Sequence, residues 1–336
     1  MNKATRQLTL DDIGKLAGVS RATVSRVINH YPHIKPEVRE RVQRVIEETG
    51  YRPNKMAQSL ASKRTGVIGL VIPHVADAVF TNPYFLHLIN SITKSTNQYD
   101  LTLALFFFHS PDEEYRIAQS IYNTNLVDGV IVTADRKEKS FVEQIIQNDV
   151  PVAFIGKPEQ GVDIPYVNVD NVSGGYIATK HLIKRGCRRI ATISVDHNTA
   201  GDDRHLGYID ALKEHNIAYD KRLVAEGDFT QRSGYLAMQT LLSEKPDAVF
   251  VVSDLMAHGA LHAIRQAGLS IPEDIAIVGF DDFPQAVMAE PPLTTIRQPV
   301  DELGLIAVDM VREAIKRPVE GVMSRILPVE LVIRST

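Results

Sequence analysis

The chain has a single cysteine and no tryptophan. Cys187 on its own cannot close an internal disulfide, and a four-cysteine zinc site is excluded with it, so a reducing compartment is expected. No run approaches the roughly 20 apolar residues of a membrane span, and the opening MNKATRQLTLDD has no apolar segment of the signal-peptide kind. A cytoplasmic protein with no membrane partner is the expectation. Also missing are G-x-G-x-x-G, a P-loop, G-x-S-x-G and a histidine pair at metal spacing, so no catalytic residue, cofactor or metal ligand is expected and an enzyme is disfavoured. The adjacent carboxylates Asp281 and Asp282 do not change that reading, because neighbours at a strand end point apart.

What is present is ordinary globular material: 336 residues, 44% hydrophobic and 23% charged, enough for two or three packed units. The formal net charge of -4 conceals an uneven distribution. Residues 1–65 carry 13 Lys and Arg against 6 Asp and Glu, leaving 24 against 35 for the remainder. A small basic head on a larger acidic body implies that the head alone meets a polyanion.

The head reads as three short helices. Thr9-Leu-Asp-Asp12 has the spacing of an N-terminal capping box, and Ile13, Leu16 and Ala17 follow at helical intervals. Gly18 stops that helix, and Ser20 caps a second in which Val24, Val27 and Ile28 point inward. Pro36 opens a third, with Val38, Val42, Val45 and Ile46 as its apolar stripe and Gly50 as its stop. The segment NKMAQSLASKRTG then offers good helix formers with almost nothing apolar to anchor them. At roughly two turns it is too short to be stable alone.

From Gly66 onward, apolar runs such as GVIGLVI, LTLALFFF, DGVIVT, PVAFIG, RIATISV, DAVFVV and IAIVGF alternate with amphipathic stretches. That alternation predicts parallel sheets covered on both faces. The runs are too many for one small sheet, and the polar YVNVDNV at 166–172 is taken as the break between two doubly wound groups. Ligands of such sheets bind outside the carboxyl ends of the strands.

TLDDIGKLAGVSRATVSRVIN, GYRPNKMAQSLAS, DRHLGYIDAL, GDFTQRSGYLAMQTLL, SDLMAHGAL, VGFDD, PPLTTIRQP and LPVELVIRST, in this order, resemble the lactose-repressor/galactose-repressor family of bacterial transcription regulators nearly end to end. The resemblance implies an α/β protein. An all-α helix-turn-helix headpiece with a hinge helix would join a core like the periplasmic sugar-binding proteins, built of two doubly wound parallel-sheet subdomains. The expected boundaries are a headpiece at 1–52, a hinge helix and linker at 53–65, one core subdomain at 66–168 plus 298–325, and a second at 169–297 plus 326–336.

The resemblance also assigns residues. The second helix would lie in the major groove with Arg21, Ala22, Ser25 and Arg26 toward the bases, where arginine can pair bidentately with guanine. Thr9, Ser20, Thr23, Asn29, His33 and Tyr51 would contact phosphates, which position without specifying. In the hinge helix Asn54 and Ala57 would face the minor groove and Leu60 would wedge open a base step. A hinge helix that needs its copy implies a homodimer on a near-palindromic operator, in the bacterial cytoplasm and at the nucleoid when bound. VELVIRST follows the last strand without a heptad tail, which favours a dimer over a tetramer.

For the effector, the resemblance points to Arg204 in DDRHLGY and Asp281 in VGFDD as the ligand arginine and carboxylate, suited to a polyol that both donates and accepts hydrogen bonds. Asp254 falls in the family's Asn-Asp motif, with Ser253 in place of the asparagine. Phe229, Tyr84 and Phe85 occupy aromatic positions that serve either as stacking faces for a sugar or as core. VIPHVADAVFTNPYF and FIGKPEQGVDIPYVNVDN resemble the maltose-type repressors, which favours maltose or another α-glucoside over a purine co-repressor. Lys157 in that second stretch either projects toward the cleft or sits at a solvent-exposed turn. A sugar-binding transport protein is the alternative the core allows, and the basic head argues against it.

Overall fold

A computed structural model describes residues 8–29, 31–51, 64–124, 126–133, 139–158, 164–317 and 323–336. They form two compact units, 1–65 and 66–336.

In the first unit, α1 (Leu10–Ala17), α2 (Arg21–Ile28) and α3 (Pro36–Thr49) share one small core of Ile13, Ala17, Val24, Val27 and Val42. The capping box is formed: the Thr9 backbone N–H donates to Asp12 Oδ2 at 2.9 Å and the Asp12 N–H returns to Thr9 Oγ1 at 3.3 Å. Ser20 Oγ accepts from the Thr23 N–H at 3.2 Å and so caps α2. Leu16 does not join the core and is 59% exposed. The start of α2 closes over the opposite flank of α1, at Gly14, where an added Cβ would lie 2.8 Å from the Val19 carbonyl oxygen. The buried line therefore runs through Ile13, Gly14 and Ala17. On α3 only Val42 is fully buried, with Val38, Val45 and Ile46 half-covered.

The second unit contains two six-stranded sheets. The first joins β1 (Val67–Ile72), β2 (Thr102–Phe107), β3 (Gly129–Thr133), β4 (Val152–Ile155), β5 (Tyr166–Val169) and β11 (Ser324–Leu327) in the order β11-β5-β4-β3-β1-β2, parallel throughout. The second joins β6 (Ile190–Ser194), β7 (Val224–Glu226), β8 (Ala248–Val251), β9 (Ala276–Asp281), β10 (Thr294–Arg297) and β12 (Glu330–Val332) in the order β12-β10-β9-β8-β6-β7, with only β12 antiparallel. Both orders are doubly wound, and helices cover both faces of the first sheet. Ile68, Leu70 and Ile72 enter one apolar cluster while Val71, Val130 and Val132 enter another.

Two runs show detail that the strand pattern did not give. LTLALFFF contributes β2, which among the described residues is an edge strand, with Leu105 37% exposed. Within YVNVDNV the residues Tyr166–Val169 form β5, the strand after which the chain passes to the second sheet, with Val167 and Val169 buried on alternate positions. The chain therefore leaves the first sheet after Val169, returns to it after Arg297, and leaves again after Leu327, which pairs with Val169. The last passage, through 328–329, lies slightly later than the 325/326 boundary. We call the portion built on the first sheet the first lobe and that on the second sheet the second lobe.

The remaining helices are α4 (Ala76–Thr81), α5 (Pro83–Gln98), α6 (Pro111–Thr124), α7 (Lys139–Gln147), α8 (Asn171–Lys184), α9 (Thr199–Glu214), α10 (Gln231–Leu242), α11 (Asp254–Gln266), α12 (Pro284–Met288) and α13 (Val300–Lys316). Among the described residues no helix is long and apolar enough to cross a membrane.

Candidate functional site

The headpiece presents one face of α2. Val24 and Val27 point inward, so Arg21, Ala22 and Arg26 are left exposed and Ser25 half-covered on the other side. Arg21 lies 3.8 Å from Asp11 in an exposed ion pair, which costs little to break. The Ser20 and Thr23 hydroxyls are 2.9 Å apart, and Asn29 reaches Ser25 at 3.4 Å, so this polar row borders the arginines. Thr9 uses its hydroxyl in the capping box, and His33 is exposed. Tyr51 is half-buried against the small core, and burial raises its phenol pKa against the opposing pull of Arg21. Asn54, Ala57 and Leu60 lie outside the described residues.

A cavity of about 400 Å³ opens at the carboxyl ends of the strands of both sheets. Thr133 at the end of β3, Ile155 at the end of β4 with Gly156 after it, and Asn168 on β5 line it from the first lobe. Asn198, Asp228, Ser253 and Asp281, each at or after the end of β6, β7, β8 or β9, line it from the second. This is the location that doubly wound sheets reserve for ligands.

Arg204 stands on α9, only 5% exposed. Its place depends on a close approach of α8 and α9. A Cβ on Gly175 would sit 2.0 Å from the Arg204 carbonyl oxygen, and one on Gly207 2.0 Å from that of Val172. The guanidinium lies 3.6 Å over the Phe280 ring, donates from Nη1 to the Val252 carbonyl at 2.7 Å and from Nε to Asn171 Oδ1 at 2.9 Å. Asp281 Oδ1 is 3.8 Å from Nη1 and accepts from Gln298 Nε2 at 2.6 Å.

Asp281 and Asp282 have φ of +134° and +63°, regions that L residues rarely adopt. Their surroundings hold the turn. Asp282 donates its N–H to Asp254 Oδ2 at 2.8 Å and its carboxylate is gripped by Arg297, at 2.7 Å, and by Arg334. The two neighbouring carboxylates do point apart: Asp281 faces the cavity, and Asp282 faces the arginines.

Asp254 is a correction. It is buried beneath this turn, accepts from Thr295 Oγ1 at 2.6 Å, and does not line the cavity. Its neighbour Ser253 does, with Oγ accepting from the Met256 N–H at the start of α11. Burial pushes both the Asp254 and Asp281 carboxyls up. The nearby Asp281 charge raises Asp254 further, whereas Arg204 and Gln298 hold Asp281 down. The surroundings therefore favour the protonated form at Asp254, and the guanidinium of Arg204 favours charge at Asp281.

The aromatics divide. Phe229, with φ of +64°, lines the cavity while packing against the second-lobe core, and Tyr84 lines the first-lobe wall. Phe85 touches the cavity but is 5% exposed and packs mainly in the first-lobe core, edge-on to Tyr84 at 5.4 Å. Lys157 is exposed and outside the lining; its charge acts instead on Asp203, whose carboxyl burial raises and Lys157 lowers. Thr133, Asn171, Asn198 and Gln298 were not anticipated. All follow or end a strand, so the strand-end rule applied residue by residue would have found them. Among the described residues no group of three or more acidic, histidine or cysteine side chains could hold a metal ion.

Comparison with known proteins agrees with both units. Residues 9–54 match the family described as "Bacterial regulatory proteins, lacI family", and residues 179–336 match "Periplasmic binding protein-like domain". The HTH-type transcriptional regulator CelR of Thermobifida fusca is 37% identical over 328 residues, covering 95% of this chain and 96% of that protein. The solved transcriptional regulator CelR–cellobiose complex is similar with a TM-score of 0.78 at 35% identity, over 98% of this chain and 99% of that one. The lac repressor dimer bound to operator and the anti-inducer ONPF gives a TM-score of 0.84 at 28% identity, with coverage of 98% and 99%. With a helix-turn-helix head and a strand-end cavity already in view, the chain belongs to the lacI family of bacterial regulatory proteins and is a DNA-binding transcriptional regulator.

Proposed function

We propose that this protein is a homodimeric repressor whose operator affinity is set by a neutral gluco-disaccharide held between the two lobes. The observation that carries the reading is the buried Arg204–Asp281 pair, 3.8 Å apart on the wall of a cavity of about 400 Å³. A hydroxyl-rich ligand can accept from the guanidinium and donate to the carboxylate at once. Asp228 adds a second carboxylate, and among the described residues Arg204 is the single arginine in the lining, so the site opposes sugar phosphates and nucleotides. Phe229 and Tyr84 supply apolar faces for pyranose C–H surfaces.

The α-linked disaccharide maltose is favoured by the VIPHVADAVFTNPYF and IGKP stretches. The β-linked competitor is cellobiose, the sugar in the solved CelR complex. Arg21 and Ala22 then select the operator, Ser25 and Arg26 add base-edge contacts, and Thr9, Ser20, Thr23, Asn29, His33 and Tyr51 hold phosphates. Asn54, Ala57 and Leu60 act in the minor groove. Sugar releases DNA, and DNA weakens sugar binding by the same factor.

The test is a gel shift on a palindromic operator from the adjoining DNA, repeated with maltose, cellobiose and a purine base. Release by one disaccharide is expected. A response to the purine alone would overturn the sugar reading.

A further inference from the structure

The apolar core of the first lobe contains one buried ring that comes from the second. Phe283 follows Asp281 and Asp282 at the end of β9, yet it is 6% exposed within a cluster whose other buried members all lie at 68–169 and 300–327. The same cluster holds Phe85, Leu88, Val300 and Leu303. The ring also stacks on His87 of α5, 4.6 Å between centroids and 15° from parallel. Three residues later Ala286 is fully buried in the second-lobe core, and its N–H donates to the Phe283 carbonyl at 2.8 Å. A single tight turn is therefore anchored in both lobes.

That turn starts at the cavity carboxylate. Asp281 and Asp282 are held at positive φ, and Asp282 is fixed by Arg297, Arg334 and the backbone bond to Asp254. Backbone so constrained does not absorb a displacement of Asp281 by local flexing; it passes the displacement on along the chain. The next side chain is Phe283, and a packed aromatic ring has few alternative positions.

We infer that Phe283 is a clasp between the lobes, the positioning residue through which a ligand on Asp281 moves the first lobe. The inference rests on the proposed sugar-responsive reading and adds to it the route by which the cavity acts. Phe283 lies outside the cavity lining, so its removal alters the connection rather than the ligand contacts.

The test uses the full-length protein as wild type, Phe283→Ala and Phe283→Leu. Hydrogen exchange without any ligand comes first. Phe283→Ala should raise exchange at least tenfold in 282–288 and around His87 on α5, while amides of β6, β8 and β9 keep their protection and the dimer is retained by light scattering. Phe283→Leu, which refills most of the site, should change exchange by less than threefold. Unchanged exchange in Phe283→Ala would overturn the clasp whether or not any sugar binds.

Operator anisotropy with and without saturating maltose or cellobiose comes second. Couplings between such sites are typically 5- to 150-fold. Phe283→Ala should bind the sugar within about threefold of wild type by calorimetry, yet lose all but about threefold of the sugar-induced change in operator affinity. Full retention of that change would refute the inference. If neither sugar binds the wild type, the disaccharide reading fails while the exchange experiment still decides the clasp.

Discussion

Nη1 of Arg204 stands 3.8 Å from Oδ1 of Asp281, with both side chains almost closed to solvent. This distance is an ion pair without a direct hydrogen bond, and it leaves each partner bonded to something else: Arg204 to Val252 and Asn171, Asp281 to Gln298. Removing Arg204 strands a buried carboxylate, at a cost on the order of 3–5 kcal/mol. Arg204→Ala should show that loss in urea denaturation and lose sugar binding. Adding Asp281→Asn should recover much of the stability and none of the binding. Failure of the second change to restore stability would show that the carboxylate was not the source of the loss.

Asp254 gives the protein a specific pH response. Its carboxyl is pushed from 3.8 up to about 8, chiefly by burial and then by Asp281. A raised folded pKa means that the native state binds more protons than the unfolded chain, so this contribution to stability is fullest below pH 3.8 and is lost as pH climbs through about 8. His181 and His205 work the other way: burial lowers both, so their contribution grows as pH rises through the imidazole range. Comparing variants cancels them. Asp254→Asn can keep both bonds, its amide donating to Thr295 and its oxygen accepting from the Asp282 N–H. Between pH 6 and 9 it should gain at least about 1 kcal/mol on the wild type, the equivalent of one pKa unit. Parallel stability curves would place the proton elsewhere.

The helical head and the alternating strands were legible because periodicity and capping are local. Thr9-Leu-Asp-Asp12 and Ser20 needed only their own neighbours to act as read. Leu16 failed because its exposure depends on where α2 closes over α1, at Gly14. Asp254 was read as a ligand contact because it falls in the family's Asn-Asp motif. Its burial is set by Thr295 and by the backbone of Asp282, 41 and 28 residues away. The ring of Phe283 was invisible for the same reason: nothing in VGFDDF says that one aromatic crosses to the other lobe.

Gly14 is a position where the headpiece has no spare room. A Cβ there would meet the Val19 carbonyl oxygen at 2.8 Å and the Arg21 nitrogen at 3.4 Å. Backbone atoms at a helix-turn-helix corner cannot rotate away, so Gly14→Ala should cost about 1–3 kcal/mol of headpiece stability, as overpacking does. Operator affinity should fall while calorimetric sugar binding by the core stays unchanged. Wild-type operator binding by this variant would mean that the corner is looser than its geometry.

Arg21 and Arg26 are exposed on one face of α2, and their proposed duties predict different signatures. Arg21→Ala should relax preference at one operator position, at about 1–3 kcal/mol, and leave binding to sites already altered there nearly unchanged. Arg26→Ala should weaken binding to every such site. Competition against a panel of single-position operator variants separates the two, and identical profiles would remove the distinction between them.

Thr133 ends β3 in the cavity wall at 5% exposure, and its hydroxyl makes no hydrogen bond among the described residues. An unpaired buried hydroxyl costs roughly 1–3 kcal/mol, so evolution toward stability alone would favour valine, which has the same shape and no polar atom. A hydroxyl retained at the ligand wall is explained if the sugar supplies its partner. Thr133→Val should accordingly raise the midpoint of thermal unfolding in ligand-free protein and weaken binding of the responsive disaccharide about tenfold. Both effects belong to one cause, so they must appear together. A variant that gains stability but binds sugar as tightly as wild type would assign Thr133 to the core and move the first-lobe contact to Asn168.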